Sequence, residues 1–320
     1  MHQTLPQGIL KMTPASFVVQ ELSSPGVPVP LHEETEISGR APDGEPVTLF
    51  HLVKKGMTTH DALRQVAQQF NVRMDDISHH GMKDRHAHTA QEIGVRGAFI
   101  PQFGHSQIVL KQVGVSTRTL LSNQHAGNRF RIHVLSNAKE ISRDAVAMVP
   151  NYFGSQRFGT PRGHEVGRLI LEGDFDQAIA ILREERLGFK LDRLRSRLSS
   201  WNDVIFSPEL KFEIGMRILQ WQSHLWNLRR RELGAHAPER LAMWRPEVWD
   251  EYEHLWNPDE LVESALKRLH CFDRPSSFSP TNLRFDRKLV GWNFEFDLPS
   301  GSYATVLLSQ VFDLREVHLS

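Results

Sequence analysis

Cys271 is the only cysteine in this 320-residue chain. One thiol excludes an internal disulfide framework and any cysteine-rich zinc site. An excess of one charge is missing as well: 38 Lys and Arg against 38 Asp and Glu give a formal net charge of zero. A basic field over the whole molecule is therefore absent. That counts mildly against nucleic acid as a partner, while local patches remain able to bind phosphates. No apolar run reaches the roughly 18 residues of a membrane-spanning helix. The opening residues, Met1 to Pro6, lack a basic region followed by an apolar core. No signal peptide is expected, and the cytoplasm is the expected compartment. A glycine-rich dinucleotide loop, internal repeats and low-complexity tracts are also missing. What remains is ordinary for a soluble globular protein: 40% hydrophobic and 24% charged residues, in a chain long enough for one large or two modest domains.

Periodicity places the elements. Phe17 to Leu22 and Val47 to Lys54 are β-branched and aromatic and read as strands. Thr58, Thr59 and Asp61 offer N-cap oxygens, and Leu63, Val66, Ala67 and Phe70 follow on one helical face that ends near Asn71. Glu92 to Arg96, Ile108 to Leu110 and Phe130 to Leu135 read as further strands, with Gly127-Asn128 as a turn between the last two. A short helix is expected over Ile141 to Met148. Helices then dominate: His164 to Glu172, Phe175 to Leu187, Pro208 to Leu233 and Pro258 to His270. Trp292 to Leu298 returns to period two. β-rich segments at both ends of a helical middle suggest one domain inserted into another, the two β-rich parts sharing a sheet.

Three stretches carry candidate chemistry. Gly81 to Gln91 sets Asp84 between Lys83 and Arg85 at a strand end or in a loop between strands. Asp84 is either an ordinary exposed loop acid or a held, ionised one, since burying an unpaired charge costs several kcal/mol. Arg129 and Arg131 share one face of their strand, which suits either a phosphate chain or plain solvent. Val149 to Gly159 packs three aromatics, two glycines, Asn151, Gln156 and Arg157 together, as a base-stacking loop or a core-filling one. The basic runs Lys190 to Arg197 and Arg229 to Arg231 read first as solvated helix faces. His79, His80, His86 and His88, with His60-Asp61 nearby, raise a metal-dependent hydrolase as a rival, but no pair has a familiar ligand spacing.

The motifs together resemble a known family. Gly81-Met82-Lys83-Asp84-Arg85-His86-Ala87-His88-Thr89-Ala90-Gln91 is similar to the G-x-K-D-[KR]-x-A-x-T-x-Q signature of TruD-type pseudouridine synthases. Asn151 to Gly159 resembles that family's N-Y-F-G-x-Q-R-F-G, and Leu298 to Thr305 its closing L-P-x-G-S-[YF]-A-T. Leu10-Lys11 with Phe17 to Glu21 resembles its first segment, and the matches come in family order. The resemblance implies an α+β fold: a mixed α/β pseudouridine-synthase catalytic domain, here 1–165 and 286–320, with an inserted, largely helical family-specific domain, here 166–285 and shortened. It implies isomerisation of a tRNA uridine, typically uridine 13, to pseudouridine. Asp84 falls on the catalytic carboxylate, Lys11 on its paired cation, and Phe153 on the aromatic of the uracil pocket with Asn151 beside it. Arg129 and Arg157 then serve as RNA contacts, with Lys83 and Arg85 also available for phosphates. The reaction has no redox change or group transfer, so no cofactor or metal is expected. The expected partner is tRNA, with no membrane and no obligate protein partner.

Overall fold

The computed structural model describes residues 4–10, 13–37, 47–97, 103–121 and 124–317. The chain parts into two compact units, Met1–Val149 with Ser279–Ser320, and Pro150–Phe278 between those segments in sequence.

The first unit is built on a nine-stranded sheet. Its strands are β2 (Phe17–Ser24), β3 (Val27–Pro28), β4 (Val47–Lys55), β5 (Ile77–His79), β6 (His88–Val95), β7 (Ile108–Ser116), β8 (Gly127–Val134), β9 (Thr281–Lys288) and β10 (Gly291–Pro299). A separate parallel pair joins β1 (Gln7–Leu10) to β11 (Asp313–Glu316). The sheet order is β9-β10-β8-β2-β6-β4-β7, with β3 on β2 and β5 on β6. β6 shares one flank between two partners: His88–Ala90 pair with β2, and Ile93–Val95 with β5. The loop joining β5 to β6 therefore sits at the opening of a strand held on both sides.

Helix α1 (Thr59–Phe70) starts where Thr58 Oγ1 accepts the Asp61 N–H at 3.0 Å and stops at Asn71 in the left-handed region, φ 52°. Its buried face, Ala62, Leu63, Val66, Ala67 and Phe70, packs on Phe50, Leu52, Ile93 and Ile108. In strand phase, Phe50, Leu52 and Lys54 face this same side. Gly127 is not in a turn; it opens β8, with φ +151°. A Cβ there would lie 2.1 Å from the Leu298 carbonyl oxygen, so glycine permits the close pairing of β8 with β10. β9 was not expected from the sequence, and Ile141 to Met148 forms only a single 3₁₀ turn, Asp144–Val146.

The second unit contains α2 (Gly163–Glu172), α3 (Phe175–Leu182) and α4 (Lys211–Leu233). The stripe Leu210, Ile214, Ile218, Trp221 and Leu225 is its core, joined by Val166 and Ile170 of α2. Gly167 lets α2 and α4 meet: a Cβ would lie 2.0 Å from the Arg217 carbonyl oxygen. The expected helix over Pro258 to His270 shrinks to Glu263–Leu266. Val262 donates its N–H to the Leu171 carbonyl at 2.9 Å, satisfying the end of α2 and holding the incoming chain away from helical geometry. The basic runs are partly structural: Arg230 is buried and donates to the Ser276 carbonyl, and Lys190 pairs with Glu213. Among the described residues no helix is long and apolar enough to cross a membrane.

The unit boundaries fall at 149/150 and 278/279, ahead of the 165/166 and 285/286 expected from the sequence. Asn151 and Phe153 are bonded to Arg274 and Asn227 of the helical unit, whereas Thr281–Lys288 adds a strand to the sheet.

Candidate active site

Asp84 lies in the loop between β5 and β6, and buried side chains fix the backbone around it. Thr59 Oγ1 accepts the Lys83 N–H at 2.8 Å and donates to Gln91 Oε1 at 3.3 Å. Gln91 Nε2 donates to the Gly81 carbonyl at 3.1 Å. Thr59 and Gln91 are both fully buried, so these bonds do not compete with water. The Gly56 N–H donates to the Ala87 carbonyl at 3.3 Å. The Thr and Gln of the sequence signature thus have a physical place: Thr89 and Gln91 are buried in β6, and Gln91 reaches back to the loop. The result is a half-buried carboxylate on a braced loop, with Arg85 beside it exposed.

The neighbouring cations divide their work in a way the sequence did not reveal. Lys83 is buried, its Nζ 2.9 Å from Glu21 Oε2 and donating to Asn128 Oδ1 at 2.8 Å. Burial pushes its ammonium below the ordinary lysine range, opposed by the Glu21 charge and hydrogen bond. Lys83 is therefore a core ion-pair partner and not a phosphate contact. Lys54 is the group the sequence reading missed. Its side chain has no exposed surface, and its Nζ donates to the Asp84 carbonyl at 2.7 Å and the Met57 carbonyl at 2.8 Å. Burial lowers its pKa to about 8, while attraction to Asp84 raises it and Lys83 lowers it. A Lys-Lys pair ending a strand looks like surface; the signal that could have found Lys54 is its phase with Phe50 and Leu52. Lys11, the cation implied by the family resemblance, lies outside the described residues.

A stability prediction follows from Lys54. Its folded pKa of about 8 lies below the ordinary 10.5, so between those values the unfolded chain holds a proton the folded chain does not. Stability contributed by this group therefore rises with pH through that window. Urea unfolding of wild type and Lys54→Met at pH 7.5 and 9.5 is expected to show wild type gaining on the variant at the higher pH. A gap that stays constant would contradict the buried, depressed ammonium.

Arg129 has a different setting from the phosphate contact expected of it. Nε and Nη2 donate to the two Asp297 carboxylate oxygens at 2.7 and 2.8 Å, and Nη2 also reaches the Gly26 carbonyl at 3.4 Å. Burial works to raise the Asp297 pKa, but the bonds from Arg129 and Asn282 outweigh it and hold the carboxyl below the usual range. The pair crosslinks β8 to β10. Arg131, two residues on, is exposed and lines a groove of about 940 Å³ in the same unit. The groove crosses the sheet: Lys55 of β4 faces His88 of β6, His88 faces Val18 of β2, and Val18 faces Arg131. Burial, then Lys55 and Arg131, push His88 down to about 4. Lys55, Arg131 and Arg284 line the groove together with three acids, Glu33, Asp286 and Glu295, and Glu295 stands opposite Arg131. Asp84 is not among the lining residues.

The remaining residues expected at the site belong to the helical unit. Asn151 Oδ1 accepts from Arg274 Nη2 at 2.8 Å, and its Nδ2 donates to the Pro275 carbonyl at 3.0 Å. Phe153 is 4% exposed, with the Arg274 guanidinium 4.1 Å and that of Arg157 5.5 Å from its ring centroid, and Trp226 edge-on at 5.6 Å. Asn227 brackets its backbone, accepting from Phe153 N at 2.9 Å and donating to its carbonyl at 3.0 Å. The ring thus lies under a cation within its own unit. Among the described residues, no group of three His, Cys, Asp or Glu side chains is placed to hold a metal ion, so the motif histidines form no such cluster.

Comparison with known proteins bears on the whole chain. A family model described as tRNA pseudouridine synthase D (TruD) matches residues 3–201. A relative from Thermococcus onnurineus, named "Probable tRNA pseudouridine synthase D", is 33% identical over 62% of this chain and 47% of its own. The Geobacter metallireducens protein named tRNA pseudouridine synthase D is 31% identical over 55% of this chain and 43% of its own. The match thus spans about half the length of these curated relatives. A third, from Pyrobaculum aerophilum and named like the first, is 26% identical over 97% of this chain and 93% of its own. A crystal structure named "Putative tRNA pseudouridine synthase D (TruD)", from Methanosarcina mazei, superposes with a TM-score of 0.57 at 22% identity, covering 98% of this chain and 95% of that one. It shares the fold.

Proposed function

Because the chain belongs to the tRNA pseudouridine synthase D family, we propose that it isomerises a uridine of tRNA, uridine 13, to pseudouridine, with Asp84 as the catalytic carboxylate. The observation that carries this reading is the braced loop: a half-buried carboxylate whose flanking backbone is pinned by Thr59, Gln91 and Lys54. Pseudouridine formation breaks the N1–C1′ bond, turns the uracil and rejoins it through C5. The bonds broken and formed stay within one nucleotide. The protein must supply a carboxylate as nucleophile or base, held in position, and a pocket that accepts a flipped uridine. Phe153, with Asn151 beside it, is proposed for the uracil pocket, and Arg157, whose guanidinium lies 5.5 Å from the ring centroid, as an RNA contact. Lys11 remains the proposed second cation for Asp84. The Lys55–Arg131 groove is proposed as a track for tRNA phosphates, and a cytoplasmic setting is part of the same reading.

The reaction releases the hydrogen on C5, which gives the test. Purified protein incubated with tRNA carrying tritium at C5 of uridine is expected to release one tritium per tRNA. Release no greater than the no-enzyme control, across a pool of unmodified tRNAs, would sink the proposal.

The groove gives a separate prediction. Arg131→Ala is expected to weaken tRNA binding uniformly across sequences and to reduce the slope of log K against log salt by about one. An unchanged slope in filter-binding titrations would remove the groove from the RNA path.

A further inference from the structure

We infer that Lys54 is a positioning residue for Asp84: it fixes the peptide from which the carboxylate projects and supplies that carboxylate with a buried countercharge. The inference rests on the proposed function and extends it to a residue outside the sequence signature. Three observations carry it. First, the Lys54 Nζ donates to the carbonyl of Asp84 itself at 2.7 Å, and to Met57 at 2.8 Å, so the ammonium ties the strand end and its turn to the catalytic residue. Second, the charge is wholly buried. A neutral donor could satisfy two carbonyls at far lower desolvation cost. Keeping a full charge in that position needs a countercharge or a use. Third, the local charges resolve into two sets. Lys83 is satisfied by Glu21 and Asn128. Among the described residues the carboxylate acting on Lys54 is Asp84, attractive to it, while Lys83 repels it.

Among the described residues, the titratable groups acting on Lys54 are Asp84 and Lys83 of the loop; the next residue in its strand, Lys55, lines the groove. Closing RNA over the loop removes water and strengthens the Lys54–Asp84 attraction. The ammonium is then most useful during the chemical step, in which the Asp84 carboxylate must act in a dry site. Lys54 touches no substrate atom in this scheme. It acts through Asp84, so its loss should appear in the rate constant of chemistry and not in tRNA affinity.

The test uses the full chain and an unmodified tRNA transcript. Single-turnover pseudouridine formation is followed from pH 6 to 9.5 for wild type, Lys54→Met and Lys54→Gln, with tRNA affinity and the urea midpoint measured for each. The glutamine variant keeps a neutral donor near the two carbonyls; the methionine variant keeps chain length. At subsaturating protein, where the profile reports the free enzyme, the wild-type rate should fall as pH passes about 8, where Lys54 loses its proton, while circular dichroism shows the protein still folded. Both variants should react on the order of 10²-fold more slowly at pH 7, bind tRNA within about three-fold of wild type, and lack that alkaline fall. A purely structural lysine would lower the urea midpoint and leave the pH profile of the folded fraction unchanged. A folded variant with the wild-type rate, or with the same alkaline fall, overturns the inference. If neither variant folds, the wild-type profile decides: a rate flat to pH 9.5 overturns it. A wild type that makes no pseudouridine at any pH overturns the functional reading instead, and this inference with it.

Discussion

Asp84→Asn should abolish pseudouridine formation, by on the order of 10⁴-fold or more, and leave tRNA affinity within a few-fold. The size of the effect follows from the role. A carboxylate acting as nucleophile or base has no substitute when its charge and electron pair are replaced by a neutral amide of the same shape. The retained affinity follows from how the loop is built. Thr59 bonds the Lys83 N–H, Gln91 the Gly81 carbonyl, Lys54 the Asp84 carbonyl and Gly56 the Ala87 carbonyl. Each bond reaches the main chain of the loop and survives the substitution. Tritium release gives the rate and filter binding the affinity. Full activity in the asparagine variant would remove Asp84 from the chemistry while leaving family membership intact. Equal loss of binding and rate would mean that the loop, and not the carboxylate, had been damaged.

The largest expected effect on stability falls on Glu21, the partner of the neighbouring Lys83. Glu21→Ala should cost about 3–5 kcal/mol, because it leaves the buried Lys83 ammonium without its countercharge. It also removes the carboxylate oxygen that accepts the Glu92 N–H at 3.2 Å. The pair itself is a poor source of net stability, since burying two charges consumes most of what their attraction returns. The double variant Glu21→Leu with Lys83→Met is therefore expected to recover most of the loss. Urea unfolding of the single and double variants measures both. A single variant within about 1 kcal/mol of wild type would contradict the buried pair, as would a double variant no better than the single one.

How much of this was legible in the sequence depended on whether the governing contact was local. The cap at Thr58 and the apolar face of α1 are set by residues within one or two turns, and both were readable. So was the place of Asp84 between two strands, because turn chemistry and strand composition are local as well. The fates of the cations were not. Lys83 looked like one of two charges flanking an acid, and its partner Glu21 comes from a distant strand. Arg129 and Arg131 share a face by parity, yet Asp297 arrives from near the other end of the chain and claims only the first. Phe153 read equally as a stacking or a core-filling ring, and its neighbours Arg274 and Trp226 come from far along the chain. Lys54 was hidden for a different reason: Val53 is buried too, so period-two alternation is weak at that strand end. Family resemblance named the signature residues, but it could not name a lysine that supports one of them from beneath the sheet.

The most direct measurement is a map of pseudouridine in an unmodified tRNA before and after incubation with the purified wild-type chain. One new pseudouridine, at uridine 13, is expected from wild type and none from Asp84→Asn. Absence of pseudouridine from every tRNA in the pool would contradict that expectation.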